Sequence, residues 1–275
     1  MDLSIVIVNY RSKDKLAPCL ASLAAADLRD LQYEVIIVEN NSGDFLGDLN
    51  TFDLENLKII ISPRNLGMGG GNNLGIREAT GRFILVLNPD TKVTPAAIKL
   101  MKAYLEANPI TGLIGPKLFY PDGSLQLSCS RFPKLFIPIL RRTFLGRYFK
   151  RWQREFTMAD FDHATTTPVD WLMGSCLLFK KEYLLASEHH FHSLFDERYF
   201  MYFEDIDLAR QFWSNGLAVV YYPTAVVIHD HQRDSAKYPW YQAIFYDRLA
   251  RAHIGSWLKY FLKWGLNSNR PNGRH

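Results

Sequence analysis

Cysteine is nearly absent: Cys19, Cys129 and Cys176 are the only three in 275 residues. They stand far apart with no Cys-x-x-Cys pair, which excludes a zinc knot or a disulfide framework as the organising device. A reducing cytoplasm is the expected setting. No apolar run approaches the roughly 20 residues that cross a bilayer. Met1 and Asp2 lead straight into a strand, so no signal peptide is expected. Charge of one sign is also lacking. The net is +4, too mild to point to nucleic acid. Two nucleotide fingerprints are missing as well: there is no Gly-Lys-Ser/Thr phosphate loop, and no register gives a full G-x-G-x-x-G. What is present is an ordinary globular balance, 48% hydrophobic and 22% charged. It suits one large α/β domain or two joined halves, soluble or at most lying on a membrane.

The chain is organised around Arg82 to Asp90. Phe83 to Leu87 is continuously apolar, as in a parallel strand buried on both faces. Asn88-Pro89-Asp90 then stops it, and Asp90 is expected at the carboxyl edge of a sheet, where α/β folds bind ligands. A carboxylate there suits a divalent cation carrying phosphate oxygens. Three other short strands end in polar residues: Leu3 to Val8 in Asn9-Tyr10, Glu34 to Val38 in Glu39-Asn40-Asn41-Ser42, and Leu57 to Ile61 in Ser62-Pro63-Arg64-Asn65. Between the first two, Leu16, Leu20 and Leu23 recur at helical spacing after Ser12. Alternating strand and helix mean a parallel sheet with right-handed crossovers and a shared polar edge. Residues 65–76 carry four glycines between Gly67 and Gly71, expected as a glycine loop entering a helix, close to a ligand or as a plain connector. Thr94-Pro95 opens a helix through Asn108.

The second chemical stretch is residues 196–208. A helix is expected from Glu204 to Gly216, with Asp205, Leu208, Ala209 and Phe212 on one face and Glu204, Asp207 and Gln211 on another. Asp205 thus heads an apolar stripe and is the candidate general base. Glu204 and Asp207 read as solvated or capping acids. After strands at Leu217 to Tyr222 and Val226 to Ile228, His229 is a candidate metal ligand or phosphate donor, and Arg233 suits a diphosphate. His189, His190 and His192 read as surface residues. Residues 136–156 interleave aromatics with Arg141, Arg142, Arg147, Lys150, Arg151 and Arg154, and Trp240 to Leu266 mixes Trp257, Tyr260, Phe261 and Trp264 with Lys259 and Lys263. Both patterns are compatible with peripheral contact to an anionic membrane and, equally, with core helices bearing a solvated basic face.

Taken in order, Ser4 to Tyr10, Val38-Glu-Asn-Asn-Ser42, residues 65–76, Leu87-Asn-Pro-Asp90, Trp171-Leu-Met-Gly-Ser-Cys176 and Tyr202 to Leu208 resemble glycosyltransferase family 2 over about residues 3–235. Within it the chain is most similar to the bacterial dTDP-rhamnosyltransferases. The resemblance implies a GT-A, nucleotide-diphospho-sugar transferase fold with a mostly parallel central sheet flanked by helices. A catalytic domain is expected over 1–235, its nucleotide-sugar half 1–120 and acceptor half 121–235, with a helical extension over 236–275. The implied activity is inverting transfer of a sugar, L-rhamnose from dTDP-rhamnose, onto a glycan or polyprenyl-linked acceptor in cell-surface polysaccharide assembly. The alternatives are another donor such as a UDP-sugar, or a catalytically weak sugar-binding relative. Asp90 stands where the metal-binding Asp-x-Asp ends, with Asn88 replacing its first acid, and His229 on the late histidine facing metal or diphosphate. Mg²⁺ or Mn²⁺ is the implied cofactor. Asp205 falls on the catalytic base, with Glu204 beside it. Nucleotide-sugar contacts are expected from Asn9, Tyr10, Glu39, Asn41, Asn65, Gly69, Asn73, Asn88 and Arg233, and acceptor contacts from Trp171, Met173 and Gly174. The implied location is cytoplasmic, at the inner face of the membrane. A sugar-nucleotide pyrophosphorylase would want a glycine-rich basic loop where Asn9-Tyr-Arg-Ser-Lys13 stands, and a dinucleotide oxidoreductase fails for want of the fingerprint.

Overall fold

The computed structural model describes all residues except 45, 48, 50–51, 55, 138–143, 186–193, 232–247 and 272–275. Twelve strands occur among the described residues: β1 Leu3–Asn9, β2 Tyr33–Glu39, β3 Leu57–Ile61, β4 Phe83–Leu87, β5 Thr91–Val93, β6 Thr111–Phe119, β7 Leu125–Gln126, β8 Cys129–Ser130, β9 Thr167–Pro168, β10 Trp171–Leu172, β11 Cys176–Lys180 and β12 Ala218–His229. The helices are α1 Lys13–Ala24, α2 Gly67–Glu78, α3 Ala97–Ala107, α4 Lys150–Phe156, α5 Glu182–Leu185, α6 Glu204–Ser214 and α7 Arg248–Trp264.

The main sheet runs β3-β2-β1-β4-β11-β6-β12-β5. β1 to β4 are mutually parallel, and β6 and β12 share their direction; β11 and β5 run against it. The sheet is therefore mostly parallel, as expected. Strands from either side of residue 120 interleave in it, so the two halves share one sheet. β4 sits centrally, and its continuous apolar run has the expected cause. Phe83, Leu85 and Leu87 enter one core layer, Ile84 and Val86 the other.

The glycines of residues 67–71 lie inside α2 rather than in a loop. Glycine disfavours a helix interior by about 1 kcal/mol, so contacts must decide. A Cβ on Gly75 would fall 2.5 Å from Val6 Cγ1, and one on Gly71 2.8 Å from Val8 Cγ1. Missing side chains let α2 press onto β1, and in doing so they carry Asn65 and Leu66 toward the polar edge.

The end of the chain closes the other layer. Trp257, Tyr260, Phe261 and Trp264 of α7 join the core that holds Phe203, Phe212 and Trp213. Trp240 to residue 247 of the expected last helix lie outside the described residues. The expected boundary at 235/236 also falls there. Within 136–156 the described residues are mixed, with Ile137 and Phe156 buried. Phe136, Tyr148, Phe149 and Trp152 are exposed, while Phe156 is the buried residue of α4.

Candidate active site

The polar strand ends converge as anticipated. Asn9 ends β1, Glu39 ends β2, residues 88–90 follow β4, and His229 ends β12. Asp90 and His229, 139 positions apart, meet because β5 leaves the Asp90 turn and pairs with β12 up to Thr91↔His229. His229 Nε2 lies 3.3 Å from Asp90 Oδ1. Neither atom has a hydrogen-bond partner, and both are buried. His229 Nδ1 is 2.8 Å from Gln126 Oε1. With Nδ1 donating to that acceptor, Nε2 is the ring nitrogen left facing the carboxylate oxygen. A proton or a divalent cation can bridge that gap. His231 completes the group: ligand atoms of Asp90, His229 and His231 lie within 4.8 Å of one another. One carboxylate and two imidazoles fit a divalent first-row metal better than Mg²⁺, which prefers oxygen alone. Burial works to raise the Asp90 pKa, but His229 and Lys15 outweigh it and hold the carboxyl below its ordinary value.

Asp205 opens the first turn of α6. The chain enters that helix through two consecutive left-handed residues, Tyr202 at φ 67° and Phe203 at φ 68°. Each costs about 1–3 kcal/mol and persists only where packing over-determines it. Phe203 is buried against Tyr260 and His253 of α7, ring centroids 5.3 and 5.4 Å away. Asp205 Oδ2 accepts the Gly174 amide at 3.1 Å, and Oδ1 the Ile206 amide at 2.9 Å. A Cβ on Gly174 would come within 3.3 Å of Asp205 Cβ, a tight contact that Asp205 would have to yield to. Burial raises the pKa of Asp205 and, further, of Glu204, where the neighbouring Asp205 adds to it. Glu204 Oε2 is buried without a partner.

The two acids belong to one strip. Cys176 of β11 pairs with Leu87 of β4, and the Asn88 amide donates to Ser175 O at 2.8 Å. Ser175 thus pairs with Asn88, two residues before Asp90, while its neighbour Gly174 holds Asp205. The Trp171 indole donates to Arg131 O at 2.8 Å, and the Met173 amide to Ser128 O at 2.8 Å, which leads both onto this strip.

The remaining expected contacts divide. Asn9 Oδ1 is buried without a partner while its Nδ2 donates to Asp44 at 2.9 Å; Tyr10 is exposed beside it. Glu39 closes its own turn, accepting the Asn41 and Ser42 amides and the Ser42 hydroxyl. Asn41 is exposed at the tip of that turn. Asn65 Oδ1 accepts from Asn40 Nδ2 and the Gly67 amide. Asn88 is half-buried on the strip. Asn73 is turned away: its amide exchanges two hydrogen bonds with the Phe195 backbone, at 2.8 and 3.0 Å. Gly69 likewise packs on Phe195, where a Cβ would sit 3.0 Å from Phe195 Cβ. Arg233, His189, His190 and His192 lie outside the described residues.

The face assignment for α6 needs correction. Asp207, read as a solvated or capping acid, is buried because α7 covers that side; Gln211 beside it is buried too, and Glu204 is half-buried. Asp207 accepts from Tyr199, Gln211, Lys263 and Trp264. His231, Lys15 and Gln126 were not singled out from sequence as site residues. Only His231 left a signal, two positions beyond His229.

The model of Glycosyl transferase family 2 matches residues 4–184. The chain is a family 2 glycosyltransferase. It is 29% identical, over 97% of its length and 90% of the relative's, to the N-acetylglucosaminyl-diphospho-decaprenol L-rhamnosyltransferase of Mycobacterium tuberculosis. It is 27% identical, over 97% and 95%, to the rhamnosyltransferase WbbL of Escherichia coli. The mannosyltransferase PcManGT of Pyrobaculum calidifontis, solved with GDP-Man and Mn²⁺, superimposes with a TM-score of 0.61 at 17% identity, over 98% of this transferase and 65% of that chain. The fold is GT-A. Among the described residues no helix of the transferase is long and apolar enough to cross a membrane.

Proposed function

We propose that this glycosyltransferase inverts the anomeric centre of a nucleotide-diphosphate sugar, L-rhamnose from dTDP-rhamnose, while moving it onto a lipid-linked glycan. The observation that carries the reading is the single strip flanked by Asp90 and by Asp205. The rhamnosyltransferase names of two relatives matched over 97% of the chain support the donor, and the diphospho-decaprenol in one name supports the acceptor class.

Asp205 acts as general base. The Gly174 and Ile206 amides fix its carboxylate, and its raised pKa strengthens it as a proton acceptor. The acceptor hydroxyl loses its proton to Asp205 as its oxygen attacks the anomeric carbon opposite the leaving diphosphate. One in-line displacement inverts the centre with no enzyme nucleophile. Asp90, His229 and His231 would hold a divalent cation, Mn²⁺ before Mg²⁺, and such an ion neutralises charge on the diphosphate. Asn9, Tyr10, Asn41 and Asn88 face the nucleotide; Trp171, Met173 and Gly174 face the acceptor. Glu204, kept protonated by burial, adds a donor beside the base.

Membrane contact belongs to the same reading. The Trp257 indole donates to Leu135 O at 3.1 Å, which sets exposed Phe136 near α7, where Leu258 and Leu262 are exposed one turn apart. With Lys150, Arg151 and Lys259, also exposed, these residues suit an anionic lipid surface carrying the acceptor.

The test is Asp205→Asn. It should melt like the parent and still bind the donor, yet lose about 10²-fold or more in transfer to a lipid-linked acceptor. Near-full turnover would remove Asp205 from the role. A thermal-shift panel of nucleotide sugars tests the donor, since the true one stabilises the fold by mass action.

A further inference from the structure

Lys15 lies on α1, far in sequence from every acid it faces. Its ammonium donates to Asp230 O at 3.0 Å and stands 4.0 Å from Asp90 Oδ2 and 3.9 Å from Asp230 Oδ2. The Asp90 carboxylate is therefore divided. Oδ1 faces His229 Nε2 and the candidate cation site, and Oδ2 faces Lys15. The ammonium takes no lone pair from the site and still borders it. Its side chain is 30% exposed, so Asp90 and Asp230 do not seal it from solvent. The loop of residues 88–90 carries a single carboxylate, and Lys15 already balances it before any cation arrives.

We propose that Lys15 binds the diphosphate of the donor directly, as a built-in cation beside the metal ligands, and that it gives the transferase nucleoside-diphosphate affinity without metal. This rests on the transferase reading above. An ammonium has three donors, and the carbonyl of Asp230 uses one of them. A diphosphate oxygen entering beside Asp90 can take another, in a charge-assisted bond. As the glycosidic bond breaks and negative charge grows on the departing diphosphate, a fixed ammonium stabilises that charge.

Binding of dTDP and of dTMP, each with EDTA and with Mn²⁺, tests this in the full chain carrying Lys15→Gln or Lys15→Arg. The parent should bind dTDP in EDTA, and Lys15→Gln should weaken that binding about ten- to hundredfold. Lys15→Arg should restore it, dTMP binding should change little, and Mn²⁺ should mask much of the loss. A Lys15→Gln variant that binds dTDP in EDTA like the parent overturns the proposal. So does a loss of equal size with and without Mn²⁺, which would mark Lys15 as a clamp between α1 and β12. If the parent binds dTDP neither in EDTA nor with Mn²⁺, the dTDP-sugar reading of the donor fails, an outcome distinct from both.

Discussion

Replacing Lys263 by Met tests how α7 holds the helix that carries Asp205. The Lys263 ammonium lies 2.8 Å from Asp207 and 2.9 Å from Asp196. Asp207 is 0% exposed, so its charge has no recourse to water. Breaking a buried pair from one side costs roughly 3–5 kcal/mol, because the partner charge stays buried. Here Asp207 keeps three neutral donors, from Tyr199, Gln211 and Trp264, and Asp196 keeps Arg198. That argues for the lower end, about 3 kcal/mol, or about 6–12 °C in Tm for a chain of this size. The pH dependence has a definite sign. Burial raises the Asp207 pKa and Lys263 pulls it down; without Lys263 it rises further. An acid whose pKa is raised by folding costs stability above its unfolded value, fully so once pH exceeds the folded one. The deficit should therefore be large at pH 8 and shrink toward pH 5. Urea denaturation followed by tryptophan fluorescence measures it, and Asp207→Asn with Lys263→Met should regain much of the loss. A deficit under about 1 kcal/mol, or one equal at both pH values, refutes the argument.

Two further outcomes concern chemistry. Gln126→Leu removes the acceptor that keeps the His229 proton on Nδ1, and Mn²⁺ affinity by calorimetry should fall about 10- to 100-fold; unchanged affinity would show that Gln126 does not set the tautomer. Because burial raises the Asp205 pKa, the ionised base accumulates as pH climbs through a value above the ordinary carboxylate range. Single-turnover transfer at saturating donor and metal should rise across that window, and a rate flat down to pH 4 would exclude an Asp205 base.

Much of this was readable without coordinates where the cause is local. An unbroken apolar run in β4 announces burial on both faces, and the residues that stop each strand announce the polar edge. The rest depends on parts of the chain that only folding brings together. Glycine's poor helix propensity argues against a helix at residues 67–71; Val6 and Val8 overrule it from another strand. One face of α6 reads as solvated until α7, more than thirty residues later, covers Asp207. The amide of Asn73 looks available until Phe195 takes it. No spacing relates Lys15 to Asp230, which stand 215 positions apart, or Gln126 to His229.

The rung between Asn88 and Ser175, and the amide that Gly174 lends to Asp205, together work like a caliper whose two jaws ride one rail. Drawing the jaws apart would break the Gly174–Asp205 bond or the rung between Asn88 and Ser175. Redirecting the transferase to other sugars is therefore a matter of reshaping the jaws, through side chains such as Trp171 and Met173, and not of loosening the frame.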